Sequence, residues 1–430
     1  MITTCLIVSG ILSTLLGFTS VDKIPLGAFR IYTIFHIVFY VFGGIILAND
    51  ILIYQDLNHE IYLYQWNFFL YVIVITFFHI ALYISFSFFK VSSSPLDLEY
   101  NVSRKNHFQT ISLILLAISL VAFFLYTSHH GGIIRTLKIA PAIRNANLGL
   151  DRSMQFLRPI IDLSTISLFC VVLPWVLEKY KARLSYVILA MLPFIFLSLA
   201  NGSRRVTLII MVTTMISLIN LRLIPLYRMS IFILLGLSFF LFAEGIRLLA
   251  SQQILQTNFA YEAQSLRSSF RELALPAYAL LGTLSEISIY ENFFWDIFTS
   301  LVRILPDFME PSWIGEGIVR DTTEILSKDR YFIEIPPSLV GYFWLNLGFG
   351  GLIVGAILSG IVRKLIWELT YYTANGKTQM IIIFSVFAFS YGYEVRDGLP
   401  ELAYISRFSV LALFTIVIIL AALKKASTKI

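Results

Sequence analysis

Residues 66–89 read WNFFLYVIVITFFHIALYISFSFF, an apolar run without Asp, Glu, Lys or Arg that ends directly before Lys90. A helix needs about 20 mostly apolar residues to cross a bilayer, so this run predicts one membrane-spanning helix. The whole 430-residue chain shares this character, since it is 58% hydrophobic and only 13% charged. Soluble domains average about a quarter charged residues. The sequence therefore predicts a polytopic integral membrane protein.

Comparable apolar runs recur along the chain and predict an all-α fold with about eleven membrane spans. They lie near 2–19, 31–48, 66–89, 109–127, 160–177, 185–200, 206–221, 230–250, 338–362, 379–392 and 403–423. Residues 1–250 are expected to hold the first eight spans with an outer loop at 128–159. Residues 251–337 are expected to form a folded, partly helical cap, in which 273–284 lies on the membrane or packs over the bundle. Residues 338–430 then hold the last three spans.

Basic residues give the direction of the spans, because loops on the cytoplasmic side carry an excess of Lys and Arg. The loops after the third, fifth and ninth predicted spans are basic, and Lys424, Lys425 and Lys429 close the chain. All of them agree on one topology, with the N-terminus outside and the C-terminus inside.

Arg is distributed differently from Lys on this topology. Ten of the twelve Lys fall inside, whereas fourteen of the twenty Arg fall on the outer face or at its mouth. The planar guanidinium group binds phosphate and carboxylate groups bidentately. The pattern predicts an outward-facing, Arg-lined site for an anionic, phosphate-bearing ligand. It disfavours nucleic acid as a partner, because the charge is divided between two faces.

The turn Asn201–Arg205 joins two apolar runs almost without a loop, so that Arg204 and Arg205 begin the following helix. Cations are disfavoured at a helix N-terminus, whereas an anion binds there readily. The two arginines are therefore expected to share the site with a bound anion. The alternative is that they reach outward to lipid headgroups.

The stretch that ends the long outer segment carries Arg320, Arg330 and Glu334 to the outer mouth, directly before Pro336 and Pro337. Glu334 is the expected general base for a sugar hydroxyl, with Asp321 as an alternative. Solvated loop charges are the competing interpretation for each of these residues taken singly.

Two further outer segments supply candidates. The loop 128–159 carries several basic residues, including Arg158, and a single acid, and a loop in contact with solvent or headgroups is the alternative. The last outer turn contains Arg396, and Arg407 falls one turn inside the final span. An unpaired charge at that depth is costly, so we expect Arg407 to be paired with a ligand or with Glu394 or Glu401.

The sequence contains no motif for other kinds of catalysis or for metal binding. Cys5 and Cys170 lie far apart in apolar runs, which gives neither a disulfide framework nor a metal-binding spacing. Gly-rich phosphate loops, nucleophile elbows and His-Glu-x-x-His sequences are absent from it. No metal or other cofactor is expected.

Three stretches resemble the O-antigen or oligosaccharide repeat-unit polymerases (Wzy-type) of the bacterial envelope. One is Asn201–Arg205, which opens a mid-chain helix, and another is Pro336–Gly341 running into 345–351. The third is the long outer segment between them, where Gly341 follows Arg330 at the Arg-x10-Gly spacing of such enzymes. The layout covers essentially the whole chain.

This resemblance implies a glycosyltransferase of the C type (GT-C-like) in the bacterial inner membrane, with its site facing the periplasm. A growing glycan on undecaprenyl pyrophosphate is the expected donor, and one lipid-linked repeat unit is the acceptor. Glu334 is the expected base. The residues expected on the pyrophosphate are Arg204, Arg205, Arg330 and Arg407, followed by Arg158, Arg320 and Arg396. A chain-length regulator and a flippase are expected as partners, and this expectation comes from the family resemblance alone.

Three other functions stay open at this point. An O-antigen ligase shares the donor, but a His is expected at its outer mouth after the long loop, and residues 251–430 contain no His. An exporter or flippase of lipid-linked sugars needs a charged cavity open to each side in turn, whereas the charge here gathers at one mouth. In a non-catalytic scaffold of envelope assembly, the arginines would be individually dispensable.

Overall fold

The computed structural model of the chain describes residues 1–19, 27–49, 65–89, 105–136, 157–161, 163–164, 167, 215–220, 265–285, 322, 326, 337–373, 392, 395–396 and 398. Regular structure in this part of the chain is helical and contains no strand. The elements are α1 (Ile2–Phe18), α2 (Ala28–His36), a π-helical segment (Ile37–Phe42), α3 (Gly43–Asn49), α4 (Gln65–Phe88), α5 (Lys105–His129), α6 (Leu157–Ile161), α7 (Ser265–Ser285), α8 (Leu339–Leu347) and α9 (Phe349–Thr373).

Three stretches among the described residues are long and apolar enough to cross a membrane, namely Ala28–Asn49, Asn67–Phe88 and Phe349–Glu368. The predicted helical membrane character is confirmed to that extent. The predicted spans at 185–200, 230–250 and 403–423 lie outside the described residues, as does nearly all of 379–392.

The chain divides into two compact units. The first consists of Met1–Asp97, Leu266–Tyr372 and Phe387–Ser406, and the second of Leu98–Ser265, Thr373–Val386 and Arg407–Ile430. The first unit contains helices α1–α4 and α8, together with all but the first residue of α7 and all but the last residue of α9, whereas α5 and α6 belong to the second. The domain boundaries predicted at residues 250 and 337 follow the order of the membrane spans and stay a prediction.

Small residues on α1 allow it to pack closely in the first unit. A Cβ placed on Gly17 would lie 2.8 Å from Thr33, and one on Gly10 would lie 3.0 Å from Val41, so α1 runs antiparallel to α2–α3. The Ser9 and Thr76 hydroxyls share a hydrogen bond of 2.8 Å between α1 and α4. Close approach through glycine and short hydroxyl bonds is the usual way in which membrane helices associate.

Helix α7 packs against the same bundle. A Cβ on Gly43 would lie 2.9 Å from the Leu273 carbonyl oxygen, so this glycine lets the two backbones touch. Every residue from 276 to 284 is buried. Of the two arrangements predicted for 273–284, packing against other helices is therefore the one that the structure has.

The stretch predicted as one continuous span at 338–362 is interrupted. Helix α8 ends at Leu347, and Gly348 adopts φ +58°, a left-handed conformation that a glycine takes without steric cost. The chain then folds back, because any Cβ on Gly351 would overlap the Phe343 carbonyl oxygen. The prediction of a single helix was wrong here, since apolar composition alone does not register a left-handed glycine.

Helices α4 and α9 meet at a second close contact, which we call the Arg363 contact and which consists of Ser85, Phe86, Gly360 and Arg363. A Cβ on Gly360 would overlap the Ser85 hydroxyl, so the two helices touch at this glycine. Arg363 is 7% exposed and donates from Nη1 to the Phe86 carbonyl oxygen at 3.0 Å. Its guanidinium also lies 4.6 Å from the centre of the Phe86 ring. The contact therefore combines a small-residue crossing with a charged cap on the last turn of α4.

In the second unit, α5 packs on α6. Ala122, Phe123 and Tyr126 form a buried cluster with Leu157 and Ile161. The Ser119 hydroxyl donates to the Ile161 carbonyl oxygen at 2.7 Å, which satisfies a backbone group at the end of this short helix.

Candidate functional site

The structure describes two of the eight residues predicted to form the site. Arg396 is partly buried in the first unit, and Arg158 lies on α6 in the second unit without a described side chain. The other six lie outside the described residues, and their roles stay predictions: Arg204, Arg205, Arg320, Arg330, Glu334 and Arg407.

Residues 337–341, the described part of the Pro-Pro-Ser-Leu-Val-Gly stretch, lead into and begin α8. Ser338 is the N-cap, and its hydroxyl accepts a hydrogen bond from the Gly341 backbone N–H at 3.3 Å. Its backbone adopts φ 62° and ψ 167°, a region occupied almost only by glycine. A non-glycine residue held there carries strain of about 1–3 kcal/mol, which the surrounding contacts must offset.

Gly398, in the last predicted outer turn, lies directly against this N-cap. A Cβ on Gly398 would lie 3.0 Å from the Ser338 carbonyl oxygen, and Gly398 itself adopts φ +86°. Val395 is fully buried, and Arg396 follows it. The structure therefore brings together two segments that the sequence singled out separately and that lie more than fifty positions apart.

Tyr40 joins the two segments through its hydroxyl group. The oxygen accepts a hydrogen bond from the Val340 backbone N–H at 3.1 Å, and the hydroxyl donates to the Val395 carbonyl oxygen at 2.8 Å. Tyr40 has no exposed surface. We call this arrangement of Tyr40, Ser338, Val340, Val395 and Gly398 the Tyr40 junction.

The local backbone explains how Tyr40 reaches this position. It lies in the π-helical segment, whose wider turn alters the direction of its side chains and the partners of its carbonyl groups. The Tyr71 hydroxyl donates to the Tyr40 carbonyl oxygen at 2.7 Å. Helix α4 thus holds the backbone of Tyr40, whose hydroxyl joins the two segments.

Helix α7 packs against the first turn of α8, next to the Tyr40 junction. A Cβ on Gly341 would lie 3.3 Å from the Thr283 hydroxyl oxygen and 3.7 Å from the Leu280 Cα. The Tyr278 hydroxyl donates to the Leu326 carbonyl oxygen at 3.1 Å, which ties α7 to the long segment before α8. Glycine at 341 therefore permits α7 to approach the first turn of α8.

Backbone hydrogen bonds at the start of α8 are already in use. The Val340 N–H goes to Tyr40, the Gly341 N–H to the Ser338 hydroxyl, and the Tyr342 N–H to the Ser338 carbonyl at 3.0 Å. An anion near this helix end would still feel the helix dipole, but these three N–H groups do not serve it. Arginine side chains, which the sequence analysis expects near this helix end, could supply its hydrogen bonds instead.

A histidine pair in the same unit was not anticipated. His36 and His79 are buried, and their rings stack with centroids 4.5 Å apart. The backbone of Ser13 comes near His79, but within the described residues none of the four ring nitrogens has a partner in hydrogen-bond geometry. The centroid of the His36 ring also lies 5.4 Å from that of the Tyr40 ring, so the histidine pair packs against the Tyr40 junction.

Sequence reasoning missed Tyr40 and Tyr71 as well. Both occur in apolar runs, where a phenol ring adds to the hydrophobicity and its hydroxyl does not interrupt the apolar pattern. The partners of Tyr40 lie 300 and 355 positions away, beyond the reach of any local pattern. The one available signal is a polar group at membrane depth, which must find a hydrogen-bond partner.

Among the described residues, no group of three His, Cys, Asp or Glu side chains is placed to hold a metal ion. Comparison with protein-family models, with curated proteins and with solved structures finds no match to the chain in any of the three. The function therefore has to be argued from the junction and from the sequence pattern.

Proposed function

We propose that the chain polymerises undecaprenyl-pyrophosphate-linked oligosaccharide repeat units at the periplasmic face of the bacterial inner membrane. A hydroxyl of the acceptor unit attacks the anomeric carbon of the growing glycan, and the bond from that carbon to the pyrophosphate oxygen breaks. Glu334 takes the hydroxyl proton, and undecaprenyl pyrophosphate leaves with the bonding electrons. Arg204, Arg205, Arg330 and Arg407 stabilise the charge on the leaving group, with Arg158, Arg320 and Arg396 as further candidates.

The Tyr40 junction is the observation that supports this proposal most. It places the Pro-Pro-Ser-Leu-Val-Gly stretch, which carries the family resemblance, beside the turn that carries Arg396. Strained backbone at a non-glycine residue such as Ser338 is a feature that clusters at functional sites.

The proposal includes a GT-C-like fold with about eleven spans, a periplasmic N-terminus and a cytoplasmic C-terminus. Its support is the alternating direction of the described helices. Gly44 lies beside both Leu6 and Tyr71, and Ser9 bonds Thr76, so α1 and α4 run parallel while α2–α3 runs against both. The ends of α1 and α4 that precede Lys23 and Lys90 then lie on one side, as the basic loops require.

An exporter of the same lipid-linked sugars is the second candidate. The interruption between α8 and α9 favours it, because broken helices line the binding sites of many transporters. Polymerisation is preferred, since the predicted cluster of arginines lies on one face and a carrier needs its charges in a cavity open to both.

Reconstitution tests the two candidates against each other. Purified protein in vesicles is given the lipid-linked repeat unit isolated from cells that lack this chain, and the products are separated by gel electrophoresis. A ladder with release of undecaprenyl pyrophosphate is the expected result, and its loss in Arg204→Ala and Arg330→Ala at normal protein level locates the chemistry. Movement of the lipid-linked sugar across the bilayer without a ladder would overturn the polymerase in favour of the exporter.

A further inference from the structure

We infer that Tyr40 is a positioning residue that fixes Arg396 relative to the first turn of α8 and so preorganises the outer site. The inference rests on the proposed function and adds to it a residue that contacts no substrate. Tyr40 is fully buried, so any effect of its hydroxyl on turnover must pass through the groups that this hydroxyl binds.

The hydroxyl group can serve two segments because a phenol both donates and accepts. It accepts from the Val340 N–H on one side and donates to the Val395 carbonyl on the other. A backbone N–H or carbonyl group that loses its partner in an apolar interior costs free energy. The two hydrogen bonds therefore hold the two segments at one separation. Removing the oxygen takes away the one partner that each group has among the described residues and frees the two segments to move apart.

The effect on Arg396 follows from its place in the chain. Its backbone nitrogen belongs to the same peptide unit as the Val395 carbonyl that Tyr40 binds, so the plane of that unit is fixed. Gly398, two residues later, rests on the Ser338 carbonyl. The root of the Arg396 side chain is thus held on both sides, and its placement depends on the same contacts as the start of α8.

The supporting contacts indicate that this placement is maintained rather than incidental. Tyr71 binds the Tyr40 carbonyl at 2.7 Å, and the π-helical segment sets the direction of the Tyr40 side chain. Preorganised charges lower a barrier only if they are already aimed at the developing charge. Displacement of a catalytic group by about 1 Å can cost about a hundredfold in rate.

The test is Tyr40→Phe, which removes one oxygen and leaves the buried ring. In the vesicle assay with the isolated lipid-linked repeat unit, we expect turnover to fall about tenfold to a hundredfold while KM for the acceptor changes little. Hydrogen–deuterium exchange at Val340 is expected to speed up in the same variant, because its amide loses its partner.

The matched control is Ser9→Ala, which removes another buried interhelical hydroxyl of the first unit, 2.8 Å from that of Thr76 and not part of the junction. It should keep normal turnover and normal Val340 exchange. An equal loss in Ser9→Ala would overturn the inference, because the effect would then be general loosening of the bundle. Normal turnover in Tyr40→Phe would overturn it as well, while a wild-type ladder leaves the polymerase intact.

The two proposals fail in distinguishable ways. A wild-type chain that makes no ladder removes the polymerase and the positioning role together. If Tyr40→Phe is not recovered at the wild-type level, Tyr71→Phe replaces it, since that change loosens the Tyr40 backbone without touching its hydroxyl. A loss of turnover in Tyr71→Phe supports the inference, and unchanged turnover overturns it.

Discussion

The Arg363 contact and the Tyr40 junction both tie helices of the first unit together, but they do so by different means. At the Arg363 contact, a glycine crosses a serine and an arginine caps the end of the neighbouring helix. At the Tyr40 junction, a buried phenol holds two segments more than fifty positions apart, beside a serine in a conformation that favours glycine.

Under the proposed function, this difference separates a contact that stabilises the fold from one that positions the reacting groups. The Arg363 contact contains no described residue with positive φ and uses interactions that any helix pair can form. The strain at the Tyr40 junction has no structural benefit of its own, since a glycine at 338 would relieve it. We therefore expect changes at the first to act mainly on stability and changes at the second mainly on turnover.

The largest effect on stability is expected from Gly360→Leu. A Cβ at this position already overlaps the Ser85 hydroxyl and would lie 2.9 Å from the Phe89 ring, so α4 and α9 must separate. Overpacking of this kind costs about 3 kcal/mol. Thermal unfolding in detergent should show a midpoint well below that of the wild type.

Gly350→Leu is the matched control on the same helix. Gly350 is exposed, and a Cβ there would meet only the Leu347 Cβ, at 3.9 Å. A surface change of this kind should alter stability by about 0.5 kcal/mol or less. Equal unfolding midpoints for the two leucine variants would show that α4 and α9 do not touch at Gly360.

A smaller effect is expected from Arg363→Met, which keeps the length of the side chain but loses its charge. The hydrogen bond from a charged group to the Phe86 carbonyl and the contact with the Phe86 ring together stabilise the fold by about 2 kcal/mol. Lys364→Met removes the same charge one position later. Its 4.0 Å ion pair with Glu368 joins side chains that are 44% and 47% exposed, so the change should be close to neutral.

A lower midpoint in Arg363→Met than in Lys364→Met supports the cap on α4. If both variants unfold at the wild-type midpoint, the contact of Arg363 with Phe86 does not stabilise the fold measurably.

Much of the helical framework could be predicted from the sequence. The apolar runs at 2–19, 66–89 and 109–127 coincide with α1, α4 and most of α5, because spans of this kind differ from the rest of the chain in composition over many residues. The break at Gly348 could not be predicted. A single glycine in an apolar run adopts helical or left-handed backbone equally readily, and only the packing of Gly351 on Phe343 decides.

The site shows the same limit more strongly. The sequence marked the two segments by their charges and prolines, and described residues of both lie at the junction. It gave no means of pairing Val340 with Val395, because neither side chain has a part in the contact and Tyr40 comes from the second predicted span. Backbone hydrogen bonds to a distant side chain leave no periodic trace in the sequence.

The smallest effect is expected at Ser338. It tests most directly whether the strain at the Tyr40 junction serves turnover rather than stability. Glycine adopts φ 62° without strain and loses only a weak cap of 3.3 Å, so Ser338→Gly should stabilise the chain by about 1 kcal/mol. Ser338→Ala keeps the strain, loses the cap and should destabilise it by a similar amount. Unfolding midpoints give this order, and the ladder assay should show lower turnover in the more stable glycine variant, because the first turn of α8 is then less firmly held. A glycine variant that is less stable than the wild type would contradict strain at Ser338, and one that is more stable with full turnover would separate that strain from the chemistry.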